Sequence, residues 1–424
     1  MFESRPQSYY TASANSSPAY PKLAGDHHCD VCVVGGGMTG TSAALELAER
    51  GFKVMLIEGR QIGWGASGRS GGQAIIGYNR EPSEIRELVG ALDAAKLWQL
   101  GQEAMGLLRG RVKQHNIQCD LTDGYYHVAM KDRQDRELSE MLAEYEAVGY
   151  LGCSLHRGDD LRRRIASPRY TSALHDPHSG HLHPLNYTLG LSGAAVAAGA
   201  HVHENSPALS IQSGAKPKIL TPGGSITCDH VILCANAYVE DLSVAIGDTI
   251  MPVGTYIIAT ERLGEDRARR IISDNAAVAD MNFVLNYFRF SADHRMLFGG
   301  RVSYSTIAPI NIRHAMGRTM GKYFPQLAGC AIDYAWGGNV AITVNRLPHF
   351  GRATNNIYFA HGFSGHGVAL TGLAGKLMAE VVASTSERFD VFARIPHRKF
   401  PGSKLLRTPA LVLAMAYYRL LDLL

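Results

Sequence analysis

Two short apolar runs stand near the start of the chain, Asp30 to Val34 (DVCVV) and Lys53 to Glu58 (KVMLIE). Between them Gly40, Ala43, Ala44 and Leu47 recur at three- and four-residue spacing, and Gly51 follows. This pattern predicts a strand, a helix whose small-residue face presses on a sheet, and a second parallel strand. Helical periodicity returns at 82–115 and 132–148, separated by the strand-like GYYHVAM from Gly124 to Met130. A helix over 185–199, a strand over 201–204 and the apolar HVILCA (230–235) restore the alternation. Strands are then expected at 253–261, 282–290, 295–300 and 331–336, with one helix over 311–324. Finally NIYFA (356–360) leads through glycines into a helix from 366 to 383.

That order predicts one α/β domain assembled from three pieces, 29–105, 175–250 and 340–400. A strand-rich domain from 106–174 and 251–339 is inserted into it. Residues 1–28 form an extension and 401–424 an apolar helix.

Composition narrows the class. Of 424 residues 46% are hydrophobic and 19% charged, which excludes disordered, collagen-like and coiled-coil chains. The net charge of +4 is not gathered into an aromatic-interleaved basic patch, so nucleic acid is excluded as a partner. Seven scattered cysteines and no apolar stretch in residues 1–28 predict a reducing, cytoplasmic setting. The tail Pro409 to Leu424 contains Arg419 and Asp422 and is shorter than the ~20 residues a span needs. Behind Arg394, Arg398, Lys399, Lys404 and Arg407 it has two expected sites, the chain's own core or, as a peripheral contact, an anionic membrane surface.

The glycines carry the chemistry. Gly35, Gly37 and Gly40, in GGGMTG with Met38 and Thr39, form G-x-G-x-x-G between a predicted strand and helix, and Glu58 ends the next strand. Such a turn brings a pyrophosphate to a helix N-terminus, while the acidic residue accepts hydrogen bonds from the adenosine ribose. Directly downstream lies GWGASGRSGGQ, supplying Gly65, Ala66, Ser67, Arg69, Gly71, Gly72 and Gln73. So many glycines are costly unless the backbone must approach something closely, and a flavin continues past the pyrophosphate where a nicotinamide cofactor needs no such loop. The segment HGFSGHG adds Gly362, Ser364, Gly365, His366 and Gly367 at the start of a helix containing Gly372 and Gly375. Glycine inside a helix costs about 1 kcal/mol, which implies close packing there against cofactor or sheet, and the helix dipole, if pointed at the N1/C2=O edge of a flavin, would stabilise its reduced anion by roughly 0.5–2 kcal/mol.

GGGMTG with Glu58, the GWGASGRSGGQ loop and GFSGHG together resemble the FAD-dependent D-amino-acid oxidase/sarcosine oxidase superfamily, most closely its gamma-glutamylputrescine oxidase type. LHPLNYTLGL, YFRFSADHRMLFGGR and WGG…RLPHFG match its lesser patterns; Ser70 stands where Asn is common in the loop, Asn345 where Asp often precedes LPHFG, and CANAY (234–238) lacks the usual glycine after the apolar strand. The resemblance implies a Rossmann-like FAD domain of the glutathione-reductase type with an inserted α+β substrate domain on a mainly antiparallel sheet. It implies noncovalent FAD, because the His and Cys attachment positions of covalent relatives are unmatched. It implies oxidation of an amine, a γ-glutamylated one included, by hydride transfer to flavin N5. The imine then hydrolyses, and O2 or another acceptor reoxidises the flavin. A peripheral membrane dehydrogenase feeding quinone is the alternative.

Catalytic candidates are Tyr256, Tyr287 and Arg289 on the inserted strands, with His366; Arg289 would clamp a substrate carboxylate, with Arg346 and Arg69 as rivals. No metal is expected. HDPHSGHLH (175–183) lacks a fourth ligand pattern. Cys29 and Cys32, three apart on a strand, should face opposite ways. Gly68-Arg69-Ser70-Gly71-Gly72 fits the hydrolase elbow formally but lacks the strand that must precede its serine.

Overall fold

The computed structural model describes residues 5–16, 18–239, 242–300 and 311–401. Its first sheet runs, edge to edge, His349–Thr354, Ile357–His361, Gly224–Leu233, Gly25–Val34, Val54–Ile57 and His201–His203. The four strands from Ile357–His361 to Val54–Ile57 pair in parallel, as does His201–His203 at the end. Val31, Val33, Val54 and Leu56 point to one face, under the helices Met38–Glu49, Pro184–Ala197 and Gly367–Val382. Cys32, Val34, Met55 and Ile57 bury the other face with Ile246 and Ile250. Both faces being covered explains why these strands read as continuous apolar runs.

Both helix glycines mark close approaches. A Cβ on Gly375 would come within 2.6 Å of Ala43 N, so two helices meet backbone to backbone, and one on Gly372 would lie 3.0 Å from Arg111 Nη1.

The second sheet has nine strands, in the order Ile332–Ile342, Met251–Thr260, Met296–Gly300, Tyr287–Phe290, Ala277–Asp280, Thr122–Ala129, Ser172–His181 and Gln73–Ala74, with Ser154–Arg157 beside Ser172–His181. Only the pair Ala277–Asp280 and Thr122–Ala129 is parallel. The expected α/β domain with an inserted, mainly antiparallel sheet is the architecture found.

Several details differ from the sequence reading. The expected long helix over 82–115 is two, Pro82–Val89 and Ala91–Gln114, broken at Gly90 with φ +81°. Of the stretch expected as one strand over 282–290 only Tyr287–Phe290 is a strand, and Ala277–Asp280, just before that stretch, is a strand the sequence reading did not expect. Ser172–His181 and Gln73–Ala74 both pair into the inserted sheet, although most of their residues fall in pieces expected for the α/β domain. The histidine run therefore forms a strand, and among the described residues no group of three His, Cys, Asp or Glu could hold a metal ion.

Cys29 and Cys32 share a face after all. The carbonyl of Lys53 accepts from both Asp30 N and Val31 N, an irregularity that turns Cys29 back into the cluster holding Cys32 and Cys228. All seven cysteines are free thiols. No helix of the described residues is long and apolar enough to cross a membrane, and the tail 409–424 lies outside them.

Candidate active site

A cavity of ≈ 510 Å³ opens at the carboxyl ends of the parallel strands, lined by Val34 and Gly35, Ile57 and Glu58, and Cys234 and Ala235. In open α/β sheets ligands bind at this place, where strand order reverses. Gly35 has φ +114°, and a Cβ there would stand 2.8 Å from the Cys234 carbonyl oxygen. A Cβ on Gly40 would come within 1.9 Å of the Gly35 carbonyl oxygen, so the third glycine of the motif lets the helix close on the turn.

Gly37 caps the helix Met38–Glu49 with no side chain of its own, and Met38 N–H donates to Ser67 Oγ at 2.9 Å. Ser67 thus bridges the first glycine turn and the downstream loop. Glu58 is held from both sides, accepting from Gly36 N at Oε2 and Arg60 N at Oε1, each at 2.7 Å. Burial raises its pKa, and those two N–H groups pull the other way.

A second helix N-terminus lines the same cavity. Ser364, Gly365, Gly367, Val368 and Thr371 line it. Gly362 N–H donates to Asn236 Oδ1 at 3.0 Å, which ties this segment to the end of strand Gly224–Leu233, and Asn79 Nδ2 donates to the Ser364 carbonyl at 2.6 Å. Two helix N-termini, with their positive ends, therefore face one cavity that also presents the half-buried Glu58 carboxylate. FAD would fit this donor set, with Gly37 to Thr39 able to hold its pyrophosphate, Glu58 its ribose, and the helix N-terminus at Gly367 its flavin end.

Of the expected cofactor residues, Gly35, Gly37, Met38, Thr39, Glu58, Gly65, Ala66, Ser67, Ser364, Gly365 and Gly367 line the cavity. Gly40, Arg69, Gly71, Gly72, Gln73, Gly362 and His366 stand behind that wall. Arg69 stacks on Trp64, 4.2 Å from its ring centre, and donates Nε–H to the Trp64 carbonyl at 2.6 Å. Gly72, at φ +72°, would meet the Leu182 carbonyl oxygen at 2.1 Å if it carried a Cβ. Gln73 donates to the Val278 carbonyl of the inserted sheet. Sequence reading missed Trp64, Cys234, Asn236 and Tyr238 in the wall. CANAY looked like a missing glycine; in the structure Asn236 takes the left-handed conformation itself, at φ +45°.

The four catalytic candidates are not brought together. Tyr287 lies on the face turned to the loop, its ring over Gly71 and Gly299, where a Cβ would approach to 2.7 and 2.1 Å. Tyr256 points the other way. Register pairs Ile257 with Gly299 and Gly299 with Tyr287, which leaves Tyr256 on the opposite face with Phe298 and Phe288.

Arg289 is 4% exposed and spends all five donors internally. Nε–H goes to the Gly71 carbonyl at 2.7 Å, Nη1 to the Phe290 carbonyl and His181 Nδ1, and Nη2 to the Leu182 carbonyl at 2.8 Å and Tyr10 Oη. No donor is left for a substrate carboxylate. Arg346 has φ +65° and lies over the Phe283 ring at 4.9 Å. His366 caps the helix Gly367–Val382, and among the described residues its Nδ1 has no partner. Burial, then repulsion from His127 and Arg346, pushes its pKa down to about 4; burial does the same to His127.

Comparison with known proteins accords with this geometry. The family model described as FAD dependent oxidoreductase matches residues 30–381. The chain is 43% identical over 416 residues to gamma-glutamylputrescine oxidoreductase of Escherichia coli K12, covering 98% of each chain. It is 40% identical over 427 residues to the probable oxidoreductase OrdL of Haemophilus influenzae, covering 99% of this chain and 98% of the other. The crystal structure of glycine oxidase from Geobacillus kaustophilus superimposes with a TM-score of 0.72 at 19% identity, covering 85% of this chain and 95% of that one. That of L-proline dehydrogenase from P. horikoshii gives 0.70 at 20% identity, covering 85% and 94%. These two show the fold.

Proposed function

The chain belongs to the family of FAD-dependent oxidoreductases, and from that premise we propose that it oxidises the C–N bond of an amine or amino-acid-like substrate, best a γ-glutamylated amine. The observation that supports this substrate class is the likeness to gamma-glutamylputrescine oxidoreductase, which runs through both sheets and not through the dinucleotide turn alone. The cofactor is noncovalent FAD, which when bound supplies a two-electron acceptor at N5 for hydride from the substrate's carbon.

The chain's own part is placement. The N-terminus of Gly367–Val382 offers a positive dipole end to negative charge at the cavity. Tyr287, packed with Tyr125, Ala277 and Ala279, forms the wall of the inserted sheet beside the loop. His127 and His366, with pKa values near 4, are uncharged at neutral pH and so do not repel a cationic amine. No general base is assigned, and near-attack alignment is proposed to supply much of the rate. Free thiols throughout fit a reducing compartment, and we place the enzyme in the cytoplasm.

Anaerobic bleaching of the bound flavin by a panel of γ-glutamylated amines, free polyamines, sarcosine and D-amino acids tests the reading. The γ-glutamylated amines should bleach it fastest; bleaching by none of the panel overturns amine oxidation. Readmitting O2 or a soluble quinone to the bleached enzyme then identifies the acceptor by which of them restores the colour.

A further inference from the structure

Residues 5–16 precede the part of the chain matched by the family model, yet Tyr9 and Tyr10 are 5% and 0% exposed. The segment is fastened to the α/β unit at both ends. Arg5 Nη2 donates to the Ile62 carbonyl at 2.7 Å, and Asn15 N–H donates to Asn186 Oδ1 at 2.8 Å. Between these ties the short helix Tyr9–Ala12, capped by Ser8, carries Tyr10 across to the inserted sheet.

Tyr10 touches two residues there. Its Oη accepts from Arg289 Nη2 at 3.2 Å, and its ring meets Trp336 edge-on with centroids 5.2 Å apart. Each of these holds one carbonyl of the glycine-rich loop: Arg289 Nε donates to Gly71 at 2.7 Å, and Trp336 Nε1 donates to Arg69 at 3.0 Å. Ser67 and Ser70 of the same loop stand in the cavity wall.

We propose that Tyr10 is a positioning residue for the cofactor: acting through Arg289 and Trp336, it sets the path of Arg69 to Gly71 and hence the shape of the wall that receives FAD. The physical reason is that past the short turn Ala66–Gly68 the carbonyls of Arg69 and Gly71 are held by side chains from outside the loop, and at Gly71 and Gly72 no side chain resists another path. Arg289 has no donor to spare, and removing the Tyr10 oxygen leaves one N–H of a buried guanidinium without an acceptor. A hydrogen bond to a charged group is worth about a tenfold change in the equilibrium that depends on it.

The inference rests on the family's cofactor and not on the amine reading, so its test needs no substrate. Apoprotein is titrated with FAD by flavin fluorescence, and the visible circular dichroism of the bound flavin is recorded. Tyr10→Phe should raise the Kd for FAD about tenfold and alter the dichroism. Ser13→Ala loosens the same segment at the Tyr9 carbonyl and His183 without touching Arg289, and should leave Kd within about twofold. Unchanged binding and dichroism in Tyr10→Phe, or an equal loss in Ser13→Ala, overturns the proposal. If Tyr10→Phe does not fold, Trp336→Phe replaces it; an altered flavin dichroism supports the route through the loop and an unaltered one overturns it.

Discussion

In the parallel half of the molecule the cavity is built by backbone, at Gly35, Gly37 and the turn from Gly362 to Gly367, where what matters is how closely two main chains approach. In the inserted half the neighbouring wall is built by side chains, and strand register decides which of them take part. Tyr256 and Tyr287 are both tyrosines on adjoining parts of one sheet, yet one is turned to the loop and the other to the remote core with Phe298. A site made by backbone is announced by glycine spacing, whereas a site made by side chains changes face with each single residue.

The sharpest test of that contrast is Gly37→Val. A Cβ at Gly37 already stands 2.8 Å from Ser67 Oγ, and the added methyl groups would crowd the place assigned to the pyrophosphate. FAD affinity should fall by about 100-fold, and the purified protein should be colourless; a full complement of bound FAD would move the site elsewhere.

Acid tests stability rather than binding. His361 is fully buried with neither ring nitrogen partnered among the described residues, and burial pushes its pKa down to about 3. His181, where burial and Arg289 act together, also falls to about 3. Their folded-state values lie below the unfolded value near 6.5, so the unfolded chain binds the extra protons. Stability should be level above about pH 7 and fall between about 6.5 and 3, each histidine adding a slope of about 1.4 kcal/mol per pH unit. Melting temperatures across that range check it, and His361→Phe should make the slope shallower; an identical acid profile in that variant would mean His361 is not one of the titrating groups.

The smallest effect is assigned to Tyr256→Phe. With its side chain in the remote core, the variant should lose no more than about 1 kcal/mol of stability and keep its kcat/KM. A tenfold drop in kcat/KM would put Tyr256 back beside the cofactor.

Much of the α/β unit was legible because its signals are local. The run Asp30 to Val34, the glycine spacing after it and Glu58 lie within one crossover; Gly372 and Gly375 announced close packing, expected against cofactor or sheet, but the neighbours found are Arg111 and the backbone of another helix at Ala43. Asn236 escaped notice because an asparagine in the left-handed conformation does there what a glycine was expected to do. Arg289 was misread for a different reason. An arginine alternating with aromatic residues on a strand looks like a ligand clamp, and only its surroundings show that five internal acceptors have taken its donors.

Taken alone, the sequence determined the cofactor class and the first strand–helix–strand crossover, since both follow from short-range periodicity and from where a backbone must lack side chains. The tertiary structure decided which face each inserted residue takes, that Cys29 joins Cys32 through the irregularity at Asp30, and that Tyr10, far from the loop in sequence, stands behind it. Those outcomes depend on register and on contacts between distant segments, which no local pattern encodes.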